Sequence, residues 1–395
     1  MDVPFLQISV IVPVGAASVL SSTTPERSYG LAHLLEHLCL VSSHSHPEPN
    51  AYSRLLTNAG GRWNAWTHDF YTEFFLTLPH TAVSTELLEG FLSHVFTPQF
   101  HSTAVAKEKL VIHEEAVTQN YYPGDNSVSH YKFTNWMQLA STNHAQVFGS
   151  TESFATIDTP ELAALHSYYQ SKATQIFLGG HLDDVLLQPL LENLTTTADT
   201  APTSTFAPTW QNPEYRTETN AELTSPVLSW GGIFSATTLT ECWGINFLLQ
   251  LLTDPDYGTL NQWLRYEKSW SYGVYAFQTN QKDRFAWIID IPLSTEKTAQ
   301  QVHRQLHEQA AQVLQDSSLI KRVKQIELDR QCYELQTLTE RMDTAIDTLT
   351  TFGSIPTETD YINWLTALDK TTLETLFTKF FTPDNTSTLL MIPSK

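Results

Sequence analysis

The chain has 395 residues, 41% hydrophobic and 16% charged, with a formal net charge of −20. Such a composition excludes disorder, and the acidic balance excludes a nucleic-acid binder that works through a basic face. The length exceeds one ordinary core and argues for two domains.

The apolar N-terminal stretch opens with Asp2, lacks a basic segment and is interrupted by Pro13 and Gly15. It therefore reads as a strand, Leu6 to Val14, and not as a signal peptide. Residues 29–41 predict a helix whose leucines, Leu31, Leu34, Leu35, Leu38 and Leu40, are spread around its whole circumference. A helix that is apolar on every side is a buried one. A strand at Phe70 to Leu78, a helix at Thr103 to Gln119, a helix at Pro160 to Tyr169 and a strand at Gln175 to Leu178 follow. From Thr195 the chain turns rich in Thr, Ala, Pro and Asn. Residues 196–222 are read as an interdomain linker, with room for a strand, separating domains 1–195 and 223–395. Helices are expected in the second half at Leu239 to Leu252, Leu260 to Tyr266, Thr295 to Leu314 and Ser318 to Leu338. Both halves close with a helix ending in paired aromatics, Tyr168-Tyr169 and Phe380-Phe381, then an apolar strand. That parallel favours two related domains. The three cysteines, Cys39, Cys242 and Cys332, are odd in number and far apart. They give no disulfide framework, so a reducing, cytoplasmic setting is expected. No apolar run reaches membrane-spanning length, and no membrane association is expected.

The chemistry concentrates at His33-Leu34-Leu35-Glu36-His37. Residues four apart share a helical face, with Cβ atoms about 6 Å apart. His33 and His37 can therefore ligate one zinc ion without strain, while Glu36 adjoins that face and can act as a base. The order is the reverse of H-E-x-x-H and marks the inverted zinc-peptidase motif. Burying two imidazoles and a carboxylate on an apolar helix is costly without a purpose. The competing reading, a surface helix with these groups in water, conflicts with the leucines. A catalytic zinc needs a third protein ligand and keeps one position open. In the helix Thr103 to Gln119, Glu108 and Glu115 lie two turns apart, on a face that also carries Val105 and Ile112. Glu114 points about 100° away, toward solvent. Glu115 is thus the candidate ligand and Glu108 the candidate carboxylate that orients a ligand histidine. The alternative is that both are surface charges beside Lys107 and Lys109. Cys39 points away from the ligand face, and His44, His46, His68 and His113 are expected at the surface.

The stretch Gly30 to His37, with Glu108 and Glu115 at their spacing, resembles the pitrilysin family, which includes insulin-degrading enzyme and mitochondrial processing peptidase. Gly60-Gly61-Arg62-Trp63-Asn64-Ala65-Trp66-Thr67 resembles its Gly-rich turn and N-A-x-T edge strand. The run from Gly149-Ser-Thr-Glu-Ser to Gly179-Gly180-His181-Leu182-Asp183 resembles the end of its first domain, and Leu264 to Gly273 its Arg/Tyr segment. Leu38 to Ser43 depart from the family, which usually has an aromatic and a Gly-Thr there.

The resemblance implies an α+β fold of two structurally related αβ domains, each a mostly antiparallel sheet with helices packed on one face. It implies a zinc-dependent endopeptidase with one Zn2+ per chain, held by His33, His37 and Glu115. Glu36 would be the general base and Glu108 the carboxylate behind a ligand. Asn64, Ala65, Trp66 and Thr67 would bind substrate as an added strand. Arg265, ending a helix, and Tyr272, opening the next strand, would stabilise the tetrahedral intermediate. The family's active unit closes four such domains around a chamber. A second chain is therefore expected, in a homodimer or in a heterodimer with a related subunit. Substrates would be peptides or unfolded segments, with cationic precursor or leader peptides favoured by the acidic charge. The alternative is a catalytically silent member serving as a structural or peptide-binding subunit.

Overall fold

The computed structural model describes residues 4–20, 28–119, 147–149, 151–181, 202–204, 214–221, 223–235, 237–281, 284–334 and 337–394. They form two compact units, one holding the described residues up to Ser204 and the other those from Glu214 onward.

The first unit is built from strands β1 (Phe5–Val12), β2 (Arg62–Thr67), β3 (Thr72–Pro79) and β4 (Gln175–Gly180) and helices α1 (Leu31–Val41), α2 (Ala51–Asn58), α3 (Thr85–Phe96), α4 (Ser102–Gln119), α5 (Thr151–Thr156) and α6 (Thr159–His166). The strand order is β2-β3-β1-β4, antiparallel throughout. Alternation sends Leu6, Ile8, Val10 and Val12 of β1 and Phe74, Leu76 and Leu78 of β3 into one core. Against that face lie Leu31, Leu34, Leu35 and Leu38 of α1 and Leu87, Leu88, Phe91 and Val95 of α3. The sheet edge falls on β2, whose sole strand partner among the described residues is β3.

Two devices fix α1. Gly30 ends the approach with φ 76°, the left-handed region that glycine tolerates, and a Cβ there would come within 2.7 Å of Phe154 and 2.8 Å of the Gly149 Cα. On the far side of the helix, His94 of α3 donates from Nδ1 to the Cys39 carbonyl at 2.6 Å. His94 is almost wholly buried, its ring packed against Tyr52 and Trp63.

The second unit carries strands β5 (Tyr215–Asn220), β6 (Val227–Ser235), β7 (Tyr275–Gln281), β8 (Arg284–Pro292) and β9 (Ser387–Pro393) and helices α7 (Leu239–Thr253), α8 (Glu296–Ala311), α9 (Ser317–Glu334), α10 (Leu338–Phe352), α11 (Glu358–Ala367) and α12 (Lys370–Phe380). Its order is β5-β9-β6-β8-β7, antiparallel except for the β5–β9 pair. Its core centres on Trp230, Trp287 and Phe381, with ring centroids 4.9 and 4.2 Å apart. The fold is thus the anticipated α+β type, two antiparallel-rich sheets with helices.

Several details differ from the sequence expectations. The expected linker lies mostly outside the described residues, and within it β5 is already part of the second sheet. The helix expected at Ser318 to Leu338 is α9, Ser317–Glu334, and Leu338 already belongs to the next helix, α10. Thr337 and Glu340 form a reciprocal capping box that starts α10 afresh. The helix expected at Leu260 to Tyr266 is a short α segment, Thr259–Asn261, passing into one π-helical turn, Gln262–Glu267. Tyr272 precedes β7 instead of opening it. Among the described residues no helix is long and apolar enough to cross a membrane.

Replacing Gly30 with Ala should destabilise the first unit by roughly 2 kcal/mol or more, since a side chain meets both the left-handed backbone and the Phe154 contact. Urea denaturation checks this. His94 gives a pH dependence. Burial lowers its pKa to about 4, outweighing the Cys39 carbonyl, against 6.5 for the free side chain. The folded state therefore binds fewer protons, so stability is full above pH 6.5 and declines as pH falls toward 4. The decline from this residue should reach roughly 3 kcal/mol. A His94→Gln variant should show a shallower acid dependence in the same denaturation assay.

Candidate metal centre

Three residues of α1 meet two of α4 and one of β2. The His33 and His37 rings stand edge to face, centroids 4.8 Å apart. Both turn Nε2 toward one Glu115 oxygen, Oε2, at 3.7 Å from His33 and 3.5 Å from His37. Glu108 Oε2 lies 3.1 Å from His37 Nδ1. In the ion-free protein His37 carries a proton on each ring nitrogen, Nδ1 toward Glu108 and Nε2 toward Glu115; with Nδ1–H held by Glu108, Nε2 is the nitrogen that can give up its proton and ligate an ion. Phe148 packs edge-on against His33, centroids 5.3 Å apart. Glu36 is only 5% exposed and accepts a 2.5 Å hydrogen bond on Oε2 from the Thr67 hydroxyl. The Glu115 side chain keeps 36% of its surface exposed, so it is the group that meets solvent.

The donor set suits a divalent ion. Two ligands of a tetrahedral zinc with bonds of about 2.0–2.1 Å stand roughly 3.4 Å apart. The separations from Glu115 to the two imidazoles are close to that value. Another trio, His33, Glu36 and His37, offers donor atoms within 4.8 Å of one another. Glu115 is the better third ligand, because Glu36 already has a short bond to Thr67 while Glu115 faces both Nε2 atoms.

The electrostatics separate the groups. Burial pushes Glu36 up to about 7, against the Thr67 hydroxyl and His37, which favour its charged form. Burial, then His37, pulls His33 down to about 4 despite Glu115. Burial also works against a charged His37, but the hydrogen bonds to Glu108 and Glu115, with Glu36 nearby, raise it to about 9.

The edge-strand residues divide by face. Asn64 and Trp66 are exposed, Ala65 is buried and Thr67 is half-buried against Glu36. The sequence pattern grouped the four as backbone partners of a substrate and carried no sign of the Thr67–Glu36 bond. In the second unit, the Arg265 guanidinium lies 5.0 Å from the Tyr272 ring centroid. It also lies 5.2 Å from the ring of Tyr266, a neighbour that the motif did not single out. Tyr272 is 78% exposed. The chain turns back here through the π-helical turn, a positive φ of 53° at Ser269 and a 2.8 Å bond from Trp270 N–H to the Leu264 carbonyl. Glu114 is exposed, as are His44, His68 and His113. The surface position expected for His46 is corrected: it is half-buried, its ring 5.3 Å from that of Tyr52 and stacked on His94, because α3 packs its histidine beneath it.

Residues 4–144 match the family model described as Insulinase (Peptidase family M16), and residues 162–327 match the Peptidase M16 inactive domain. Over 98 residues, a quarter of this chain, it is 34% identical to insulin-degrading enzyme-like 2 of Arabidopsis thaliana, a stretch that spans 10% of that protein. Over 75 residues, 19% of the chain, it is 37% identical to protease 3 of Salmonella typhimurium, 7% of whose length is covered. The chain therefore spans only a small part of these relatives. Among solved structures, a protease from Helicobacter pylori superposes with a TM-score of 0.81 at 17% identity, covering 99% of this chain and 94% of that one. The periplasmic protease PqqL of Escherichia coli gives 0.79 at 14% identity, covering 99% of this chain and 45% of its own. At these identities the superpositions establish the shared fold.

A divalent ion taking both Nε2 atoms must displace the proton that His37 holds. With His37 at about 9 and His33 at about 4 in the ion-free protein, only His37 is charged at pH 7.5. Zinc binding at that pH should release about one proton per chain, and a Glu108→Gln variant should release fewer. Calorimetric titration in buffers of different ionisation enthalpy measures the number.

Proposed function

The chain belongs to the insulinase family of peptidases, family M16, and from that premise we propose that it is a zinc-dependent endopeptidase acting on peptides or unfolded segments. The observation that carries this reading is the convergence of His33, His37 and Glu115 beside the buried Glu36. A zinc ion held by those three ligands would supply Lewis acidity, polarising the scissile carbonyl and making water a stronger acid. Glu36, with a pKa near 7, is suited to take a proton from the attacking water and deliver it to the leaving amine. With the ion bound, Glu108 would hold the His37 Nδ1 proton and leave Nε2 as the ligand atom. The open edge of β2 receives an extended substrate through backbone hydrogen bonds. Arg265 and Tyr272 are proposed to donate to a substrate carbonyl oxygen, in a chamber formed when a second subunit of the family joins this chain. That second subunit is a copy of this chain or a related one. With a net charge of −20, cationic precursor or leader peptides are the proposed substrates.

One observation favours a second reading, a catalytically silent subunit that binds peptides or supports a partner: residues 162–327 match a domain described as inactive. The ligand cluster lies outside those residues, within the part that matches the insulinase model, and this favours the enzyme.

Cleavage of a quenched peptide library should require zinc, stop with chelator and resume on its return. Glu36→Gln should lower turnover by at least about a hundredfold while metal content is kept, as expected for loss of a general base. Full activity in that variant removes Glu36 from the mechanism. A protein that binds no zinc and cleaves nothing, alone and with a family partner, supports the silent subunit.

A further inference from the structure

Thr67 ties the edge strand to the buried carboxylate. It is the last residue of β2, paired with Thr72 across the strand turn. Its hydroxyl donates to Glu36 Oε2 at 2.5 Å and also lies 3.4 Å from the Thr72 hydroxyl. Each hydroxyl has a single hydrogen to give. Thr72 spends its own on the Val14 carbonyl at 2.7 Å. Thr72 therefore presents only lone pairs to Thr67, and the shorter, charge-assisted bond to Glu36 takes the Thr67 hydrogen. Both hydrogens are thereby assigned: Thr72 donates to the backbone after β1, Thr67 donates to Glu36, and the two hydroxyls are neighbours without a hydrogen bond between them.

We propose that Thr67 is a positioning residue for Glu36, fixing the orientation of its carboxylate through the hydroxyl hydrogen bond and coupling it to the strand that receives substrate. The inference rests on the endopeptidase reading of this site, and it assigns Thr67 a role beyond backbone pairing. Two geometric facts support it. Alternation along β2 places Asn64 and Trp66 outward, so among the four edge-strand residues Thr67 has the side-chain oxygen on the Glu36 side. Glu36 is buried, and a long flexible side chain needs a fixed partner there to present one oxygen reproducibly. Strand and base then move together: whatever shifts the end of β2 shifts the Glu36 carboxylate.

The test compares Thr67→Val, which keeps the shape and removes the hydroxyl, with Thr67→Ser, which keeps the hydroxyl. Thr67→Val should lower kcat roughly 10- to 100-fold, the scale of a small misplacement of a reacting group, while KM stays within about twofold. Zinc content should be unchanged. Thr67→Ser should recover most of the lost kcat. Crystal structures of the zinc-loaded variants supply a second readout that needs no turnover: the Glu36 carboxylate should leave its wild-type orientation in Thr67→Val and keep it in Thr67→Ser. Unchanged kcat in Thr67→Val, a loss confined to KM or to zinc content, or no recovery with Ser would overturn the proposal. So would an unmoved Glu36 carboxylate in the Thr67→Val crystal, even with no substrate cleaved. Wild-type protein that cleaves nothing counts against the endopeptidase reading, whereas an active wild type with an indifferent Thr67→Val counts against Thr67 alone.

Discussion

Burial of ionisable groups on an apolar helix is the constraint that organises the first unit. Leu31, Leu34, Leu35 and Leu38 draw α1 into the core, and they take His33 and Glu36 with them. An ionised group left unpaired in such surroundings is costly enough that it shifts its pKa or acquires partners. Here both occur. Glu36 rises to about 7 and still takes a bond from Thr67, while His37 gains Glu108 and Glu115. The partners come from α4 and β2, so the helix–helix and helix–strand placements are tied to the polar cluster as firmly as to the leucines. Gly30 and His94 then hold α1 from its beginning and from its far side.

The two units present their candidate site side chains by different physical means. In the first, the groups are inside, and solvent enters where Glu115 reaches in. In the second, Arg265 is displayed between the rings of Tyr266 and Tyr272. A guanidinium is planar, stays charged and stacks well on aromatic faces, so it can be oriented at the surface without being buried. The cost falls on the backbone, in a π-helical turn and a left-handed Ser269. Irregularities of that sort concentrate at functional segments because neighbouring packing must sustain them.

Much of the element order was readable because the patterns are strong. The Ile- and Val-rich start predicts β1, and the apolar α1 announces its own burial. Errors fell where local chemistry overrides periodicity. The capping box at Thr337 and Glu340 begins α10 at Leu338, where the sequence reading carried the preceding helix to its end. The turn before Tyr272 hides a π-helical segment, which has no distinct signature in residue spacing. Helices α2 and α3 were not anticipated at all, and with α3 came His94, whose bond to the Cys39 carbonyl joins residues 55 apart in sequence.

The candidate site divides along the same line. Spacing within one helix is fixed by its 3.6-residue period, so the sequence alone placed His33 with His37, and Glu108 with Glu115 on one inward face. It also marked Arg265 and Tyr272 through a gap-free resemblance. Which oxygen meets which nitrogen was decided only by tertiary packing. The approach of α4 to α1 directs Glu115 at both Nε2 atoms and Glu108 at His37 Nδ1. The pleat of β2 turns Thr67 inward to Glu36 while Trp66 faces out. Periodicity within an element is local and legible, whereas contact between elements depends on how two separate helices and a strand come to rest against each other, and no spacing in the chain records that.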